Sequence, residues 1–131
     1  MIKVTAFLTT AALVISMPLA AHSENYASGA VKTTKTAKGE VLTDAKGMTL
    51  YVFDKDNKGA SNCYDDCAKK WPPLEASKDA KMDSEFSLVT RKDGTKQWAR
   101  KEKPLYLWQG DKKPGDVSGD GVGGVWHVAK D

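Results

Sequence analysis

The feature that most constrains this chain is an internal repeat. The segment Leu50–Phe53 (LYVF) returns 55 residues later as Leu105–Trp108 (LYLW). The same offset places Trp71 on Trp126, so in each copy a tyrosine is followed by a tryptophan twenty positions later. Repeated units of this kind bury their apolar surfaces against one another. We therefore expect two related units that pack together, with an approximate twofold relationship between them.

The pattern of each unit is that of a β-hairpin. Turn signals lie at residues 44–47 and 91–94, and the second contains the Asp-Gly pair typical of tight hairpins. Short runs with β-strand character flank both turns. The predicted strands are 40–43, 48–53, 86–90, 97–100, 105–108 and a closing strand over 125–128.

The strand within residues 48–53 has two apolar faces. Successive side chains of a strand point to opposite faces, so Leu50 and Val52 share one face while Tyr51 and Phe53 share the other. A strand that is apolar on both sides is normally covered on both sides. We expect this strand to lie inside the domain.

A short helix is predicted over residues 62–70, around the two cysteines. Asn62 is a good N-cap, acids follow in the first turn, and lysines occupy the last turn. Trp71 precedes two prolines, which ends the helix. The predicted fold class is therefore mainly β: two related β-hairpin units with one short helix around the cysteine pair.

The N-terminal region reads as a secretory signal. Lys3 precedes an apolar stretch, and Ala21-His22-Ser23 provides small residues at a cleavage site before Glu24. Residues 24–38 are small, polar and basic, which predicts a flexible tether. The predicted organisation is a signal peptide (1–23), a tether (24–38) and a single β-rich repeat domain (39–131).

Charge and hydropathy limit the partners of the exported part. The chain has 20 Lys and Arg against 17 Asp and Glu, and these residues are interspersed. A nucleic-acid-binding surface needs clustered basic residues, so we expect no nucleic acid partner. The apolar run Leu50–Phe53 is too short to cross a membrane. No stable membrane insertion is expected once the signal is removed.

Cys63 and Cys67 are the two cysteines of the chain. In an oxidising compartment such a pair usually forms a disulfide. On a regular helix, however, Cβ atoms four residues apart are about 5–6 Å apart, whereas a disulfide needs about 3.5–4.5 Å. A redox-active pair, or a copper(I) site with His127 as a third ligand, is therefore the alternative.

The remaining polar motifs have structural explanations. Residues 116–121 (DVSGDG) resemble the start of a calcium-binding EF-hand loop, but position 12 is His127 rather than glutamate. A turn is therefore the preferred interpretation. Asp56 and Asp111 follow the strand aromatics and are expected to cap turns through backbone hydrogen bonds. No Ser-His-Asp spacing occurs, so we expect no catalytic residues.

The aromatic side chains are expected to lie mostly in the core. Because tyrosine and tryptophan combine an apolar body with a polar tip, a subset could line a groove for a glycan, a peptide or a flat cofactor. The candidates for this groove are Trp71, Trp98 and Trp126.

Four segments together resemble a secreted-repeat family of unknown function, whose members are often predicted lipoproteins with a Tyr-x-aromatic-x-x-Asp motif. The segments are GMTLYVFDKD, CYDDCAKKWPPL, TRKDGTKQWARKEKPLYLWQGDKKPGD and GVGGVWHV. The resemblance implies export and a shared fold, but no reaction. Two features depart from the family: the lipid-accepting cysteine is missing, and Glu102 stands where a hairpin glycine is expected. The motif residues implied by the resemblance are Tyr51, Phe53 and Asp56 in the first copy, and Tyr106, Trp108 and Asp111 in the second.

The sequence thus predicts a small periplasmic or secreted protein that is not an enzyme and needs no cofactor. Its expected role is that of a binding or structural module with an envelope or extracellular partner. The alternative is a redox or copper-handling protein that uses Cys63 and Cys67.

The signal interpretation predicts the start of the mature protein. Cleavage after Ser23 should leave Glu24 as the first residue of the exported chain. Intact-mass analysis of the protein from the periplasm or the medium measures this directly. A mass that includes Met1 in that fraction would contradict the interpretation.

Overall fold

A computed structural model of the chain describes residues 25–83 and 85–131. The predicted signal peptide and its cleavage site lie outside the described residues. None of the helices in the described part of the chain has the length and apolar character that a membrane span requires.

The described residues form short strands connected by turns, together with one short α-helix and two single 3₁₀ turns, Ala27–Gly29 and Val122–Gly124. The helix, α1, comprises Asp66–Lys70. The strands are β1 (Asn25–Tyr26), β2 (Val31–Thr36), β3 (Gly39–Asp44), β4 (Tyr51–Phe53), β5 (Glu75–Ala76), β6 (Phe86–Thr90), β7 (Lys96–Arg100), β8 (Lys103–Pro104) and β9 (Trp126–Val128).

These strands build two antiparallel sheets and one separate strand pair. The first sheet has the order β1-β2-β3, and the second has the order β5-β7-β6 with β8 also paired to β7. The β2–β3 and β6–β7 hairpins occupy corresponding places in the two copies of the repeat. The second is the predicted hairpin, but the first is not: β3 pairs with β2, and only an isolated bridge between Thr43 and Thr49 joins it to the predicted partner strand. The mainly β fold with an internal repeat is therefore confirmed.

The two copies are interlocked rather than placed side by side. Strand β4 of the first copy pairs with β9 of the second, with Tyr51 opposite Val128. In return, the Leu74 amide of the first copy donates to the Leu105 carbonyl of the second. Each copy thus completes the hydrogen bonding of the other, so the pair forms one folding unit.

Two buried clusters lie on opposite sides of the strand that carries Tyr51. Leu50 belongs to one cluster, together with Leu42, Trp98 and Leu105. The other cluster contains both motif tyrosines and the tryptophans that follow them, and its buried members are Val41, Tyr51, Cys63, Trp71, Tyr106, Trp126 and Val128. The prediction that this strand is covered on both faces is confirmed.

The prediction of a flexible tether is wrong for the described residues of that segment. Residues 31–36 form β2, which pairs with β3 along its whole length. Val31 is fully buried and Thr33 nearly so. The lysines and threonines of this segment are typical of a solvated chain, but every second side chain at the start of β2, Val31 and Thr33, faces the core.

The predicted strand over 105–108 is not formed. Strand β8 ends at Pro104, and Tyr106 takes part only in isolated bridges with Tyr51 and Pro73. Pro73 follows Pro72, and proline has no N–H to donate to a ladder. The second copy therefore lacks the three-residue ladder that β9 supplies to β4.

The helix also begins later than predicted, at Asp66 rather than near Asn62. The Asn62 amide donates to Asp56 Oδ1, and its side chain donates to the Lys55 carbonyl, so Asn62 anchors a loop. Asp65 then adopts a positive φ of 56°, which breaks helical geometry before α1. Asn62 is therefore not the N-cap.

The departure at Glu102 has a structural consequence. Lys101 and Glu102 connect β7 to β8, with φ angles of 48° and 65°. Positive φ at both central residues is the signature of the type I′ turn that joins tightly paired strands, where glycine or asparagine is preferred. The turn is thus formed in the expected place despite an unfavourable residue at Glu102.

Candidate functional site

The motif residues of the two copies meet at the centre of the molecule. The Tyr51 amide donates to the Tyr106 carbonyl at 2.8 Å, and the Tyr106 amide donates to the Tyr51 carbonyl at 2.9 Å. Both tyrosines are fully buried. This reciprocal backbone pair is the point about which the two copies are related.

Each motif tyrosine donates to the motif aspartate of the other copy. Tyr51 Oη lies 2.6 Å from Asp111 Oδ2, and Tyr106 Oη lies 2.6 Å from Asp56 Oδ2. Hydrogen bonds from a hydroxyl to a carboxylate at this distance are short and comparatively strong. Tyrosine and aspartate, which stand together in each motif, therefore bond across the repeat.

The second oxygen of each carboxylate holds the loop that follows the motif. Asp56 Oδ1 accepts from the Asn62 amide at 2.7 Å. Asp111 Oδ1 accepts from the amide and the hydroxyl of Ser118, at 3.0 and 2.6 Å. The expected capping of turns by Asp56 and Asp111 is present, but it is only half of what these side chains do.

The two motif aromatics and the two later tryptophans form a column of four rings. Phe53 stacks on Trp126 with a centroid distance of 4.2 Å, Trp126 on Trp71 at 3.8 Å, and Trp71 on Trp108 at 4.1 Å. The first two pairs are nearly parallel, with interplanar angles of 9° and 3°. The order of the rings is symmetric with respect to the repeat: the two motif aromatics form the ends of the column, and the two later tryptophans form its middle.

The tyrosines contact this column edge-on. Tyr51 meets Trp71 at 5.4 Å, and Tyr106 meets Trp126 at 5.1 Å, both in T-shaped geometry. Gly119 is packed against the first of these pairs, since a Cβ there would lie 2.9 Å from atoms of both rings. A larger residue at Gly119 would displace the rings.

A buried arginine supports the second tyrosine. Arg91, only 6% exposed, donates to Ser61 Oγ, Gln97 Oε1 and the Cys63 carbonyl, at 3.0, 2.7 and 2.7 Å. Ser61 Oγ lies 2.7 Å from Tyr106 Oη. Because the Tyr106 proton points to its aspartate, the serine hydroxyl is the donor to Tyr106.

Burial dominates the electrostatics of the site. It raises the pKa of Tyr51 well above its usual value of 10, and the hydrogen bond to Asp111 adds to this effect. The pKa of Tyr106 is raised in the same way, first by burial and then by Asp56. Burial also raises the pKa of the Asp56 carboxyl, although the bonds from Tyr106 and Asn62 and the positive charge of Arg91 oppose this shift.

The disulfide between Cys63 and Cys67 is formed, with Cα atoms 5.2 Å apart. Cys63 precedes α1, so the spacing argument for a regular helix does not apply to this pair. His127 instead places Nε2 2.7 Å from Asp54 Oδ2. The structure thus does not assemble the copper set of Cys63, Cys67 and His127.

The calcium-like loop is a turn. Asp116 Oδ2 accepts from the backbone amides of Lys112 and Lys113, and Asp120 Oδ1 accepts from the Val128 amide. Within residues 25–83 and 85–131, no group of three or more His, Cys, Asp or Glu side chains could hold a metal ion.

The predicted groove of Trp71, Trp98 and Trp126 is not formed. These side chains are 3%, 2% and 4% exposed. Trp98 belongs to the other buried cluster, on the far side of the strand that carries Tyr51. The propensity of tryptophan for binding surfaces was misleading here because the repeat uses its tryptophans to fill the core.

Two open cavities adjoin each other beside the exposed end of β4. One, of about 340 Å³, is lined by Phe53, Asp54, Asp56 and residues of the β7–β8 turn. The other, of about 300 Å³, is lined by residues that include the buried Leu42 and Leu105 and the polar Arg100 and His127. Asp54 and Lys103 line both cavities.

A family model described as a secreted repeat of unknown function matches the chain twice, over residues 32–75 and 87–130. The matches are offset by 55 residues, and together they cover more than half of the chain. The chain belongs to this family. Each matched segment contains one hairpin, one Tyr-x-aromatic-x-x-Asp motif and two rings of the column. No curated protein and no solved structure matches the chain significantly.

The structure of this chain gives the motif of the secreted-repeat family a physical explanation. Its tyrosine and aspartate form the crossed hydrogen bonds, and its aromatic residue ends the column. Sequence reasoning missed the buried network of Ser61, Arg91 and Gln97. The only available signal was a run of three basic and acidic residues at 91–93, which is typical of an exposed turn.

We predict that the crossed pairs are coupled energetically. Tyr51→Phe should cost about 1.5–3 kcal/mol, the range for a hydrogen bond to a charged group. Urea unfolding of Tyr51→Phe, Asp111→Ala and the double variant gives the coupling energy, expected at about 0.5–3 kcal/mol. The matched control cycle, Tyr51→Phe with Asp56→Ala, should show less coupling. Equal coupling in the two cycles would contradict the crossed arrangement.

The raised tyrosine pKa values predict sensitivity to alkali. A group with a raised folded-state pKa stabilises the protein fully below its unfolded-state value, and this stabilisation is lost as the pH rises. The free energy of unfolding should therefore fall above about pH 10. Urea unfolding at several pH values measures the slope, which should be shallower in Tyr51→Phe/Tyr106→Phe. An unchanged slope would show that these hydroxyls do not titrate on unfolding.

Proposed function

We propose that this chain is an exported, non-catalytic binding module of the periplasm or the extracellular space. The family description as a secreted repeat supports the location. The observation that supports a non-catalytic role is the pair of Tyr–Asp hydrogen bonds that cross between the copies. The motif hydroxyls and carboxylates bond to one another between the copies, so the motif serves to hold the two copies together.

The binding surface that we propose is the pair of adjoining cavities around Asp54 and Lys103. The outer part of Phe53 contributes an aromatic surface, while its inner face rests on Trp126. Lys103 is exposed, and it lines both cavities. This surface belongs to the ends of short strands that the crossed pairs hold in place, so it is presented by a rigid support.

The side chains around the cavity that Phe53 lines favour a ring-shaped polar ligand. Carboxylates (Asp54, Asp56, Glu102) and ammonium groups (Lys58, Lys101, Lys103) line this cavity together with Phe53. Such a lining offers both hydrogen-bond donors and acceptors, while an aromatic ring stacks on the apolar face of a flat ligand. A saccharide unit combines these properties, and we therefore choose a glycan as the ligand class.

The experiment is a titration of ¹⁵N-labelled mature protein with the trisaccharide of N-acetylglucosamine, followed by NMR. We expect shifts at residues 53–58 and 101–104. Lys103→Ala should weaken binding, whereas Lys78→Ala is the matched control, because Lys78 is an exposed lysine beside a different cavity. Shifts that lie elsewhere, or none at all, would overturn the glycan site. Mass spectrometry of the sugar recovered after the titration tests for catalysis. Cleavage of the trisaccharide would contradict the proposal of a non-catalytic module.

A further inference from the structure

The ring column has the geometry of a path for electrons. Its three tryptophans, Trp126, Trp71 and Trp108, are stacked with centroid distances of 3.8 and 4.1 Å. Indole is among the side chains that lose an electron most readily, and rings in van der Waals contact exchange electrons rapidly. The two middle rings are buried, whereas Trp108 is only partly buried and thus reaches the surface.

Each buried tyrosine beside the column is arranged for coupled loss of an electron and a proton. A phenol becomes easy to oxidise only when its proton can leave at the same time. The hydroxyl oxygens of Tyr51 and Tyr106 each lie 2.6 Å from an aspartate carboxylate oxygen. The proton can therefore transfer along an existing hydrogen bond, without movement of either side chain.

We propose that this column carries one-electron oxidation from Trp108 at the surface to the buried Tyr–Asp pairs. A one-electron oxidant outside the protein, such as a high-potential metal complex, takes an electron from Trp108. Trp71 then donates an electron to Trp108, and Tyr51 donates an electron to Trp71. As Tyr51 is oxidised, its phenolic proton passes to Asp111 Oδ2.

The products of this sequence balance. The oxidant gains one electron, Tyr51 becomes a neutral radical, and Asp111 becomes a neutral carboxylic acid. The continuation through Trp126 leads in the same way to Tyr106 and Asp56. An external one-electron reductant reverses the sequence and returns the proton to tyrosine.

The difference between the two motif copies gives the path a direction. The ring at the other end of the column is Phe53, and benzene rings are far harder to oxidise than indole. Oxidation can therefore enter from Trp108 but not from Phe53. Gly110 leaves room for the entry ring, since a Cβ there would collide with the Trp108 indole.

This function does not depend on the glycan site. The proposed ligand surface lies around Asp54 and Lys103, at the Phe53 end, and it requires no electron transfer. Loss of sugar binding in Lys103→Ala would leave the oxidation path intact, so the failure of one proposal can be distinguished from the failure of the other.

The experiment uses the mature, disulfide-bonded protein and photogenerated tris(bipyridine)ruthenium(III) as the oxidant. Transient absorption and electron paramagnetic resonance distinguish a neutral tyrosyl radical from an indolyl radical. We expect a tyrosyl signal in the native protein. In Tyr51→Phe/Tyr106→Phe the buried tyrosyl signal should be lost and an indolyl signal should take its place. A tyrosyl signal of unchanged size in that variant would overturn the proposal, since it would arise from other tyrosines.

A swap of the end rings tests the direction. Trp108→Phe should abolish formation of the buried tyrosyl radical, and Phe53→Trp/Trp108→Phe should restore it from the opposite end. Circular dichroism confirms that these conservative variants fold. An unchanged radical yield in folded Trp108→Phe, or no recovery in the folded double variant, would overturn the path. Should Trp108→Phe fail to fold, the tyrosine variants decide the question.

Discussion

The structure depends on two hydrogen bonds that cross between the copies of the repeat. Tyr51 donates to Asp111 and Tyr106 donates to Asp56, and both hydroxyls belong to fully buried tyrosines. A buried hydroxyl or carboxylate without a partner would cost about 1–3 kcal/mol or more, so neither copy is complete without the other. This requirement explains why the motif occurs twice in one chain.

The same pairs organise the surrounding core. The second oxygen of each aspartate fixes the following loop, which in the first copy leads to the buried Cys63 and in the second to Gly119. The tyrosine rings press edge-on against the tryptophans, so the hydrogen bonds and the ring column position each other. Stacked and edge-on aromatic pairs add about 0.5–1.5 kcal/mol each beyond the burial of their area.

The copies have also diverged. The Cys63–Cys67 disulfide is found only in the loop of the first copy, and the Arg91 network supports only Tyr106. At the ends of the ring column, the first copy has Phe53 where the second copy has Trp108. Crossed pairs that are common to both copies maintain the fold, which leaves the ends of the column and the cavity rim free to differ. Binding at one end and oxidation at the other are the two functions that we propose for these differences.

The sequence by itself determined the repeat, the second hairpin and the burial of the strand around Tyr51, because these follow from local periodicity and spacing, and its motif segments indicated the family. It misjudged residues 31–36, the start of α1 and the tryptophan groove. Only the tertiary structure decided that each tyrosine bonds to the aspartate of the other copy and that Arg91 is buried. Those partners lie 60, 50 and 30 residues apart, and sequence periodicity contains no information about which distant side chains meet once the core has closed.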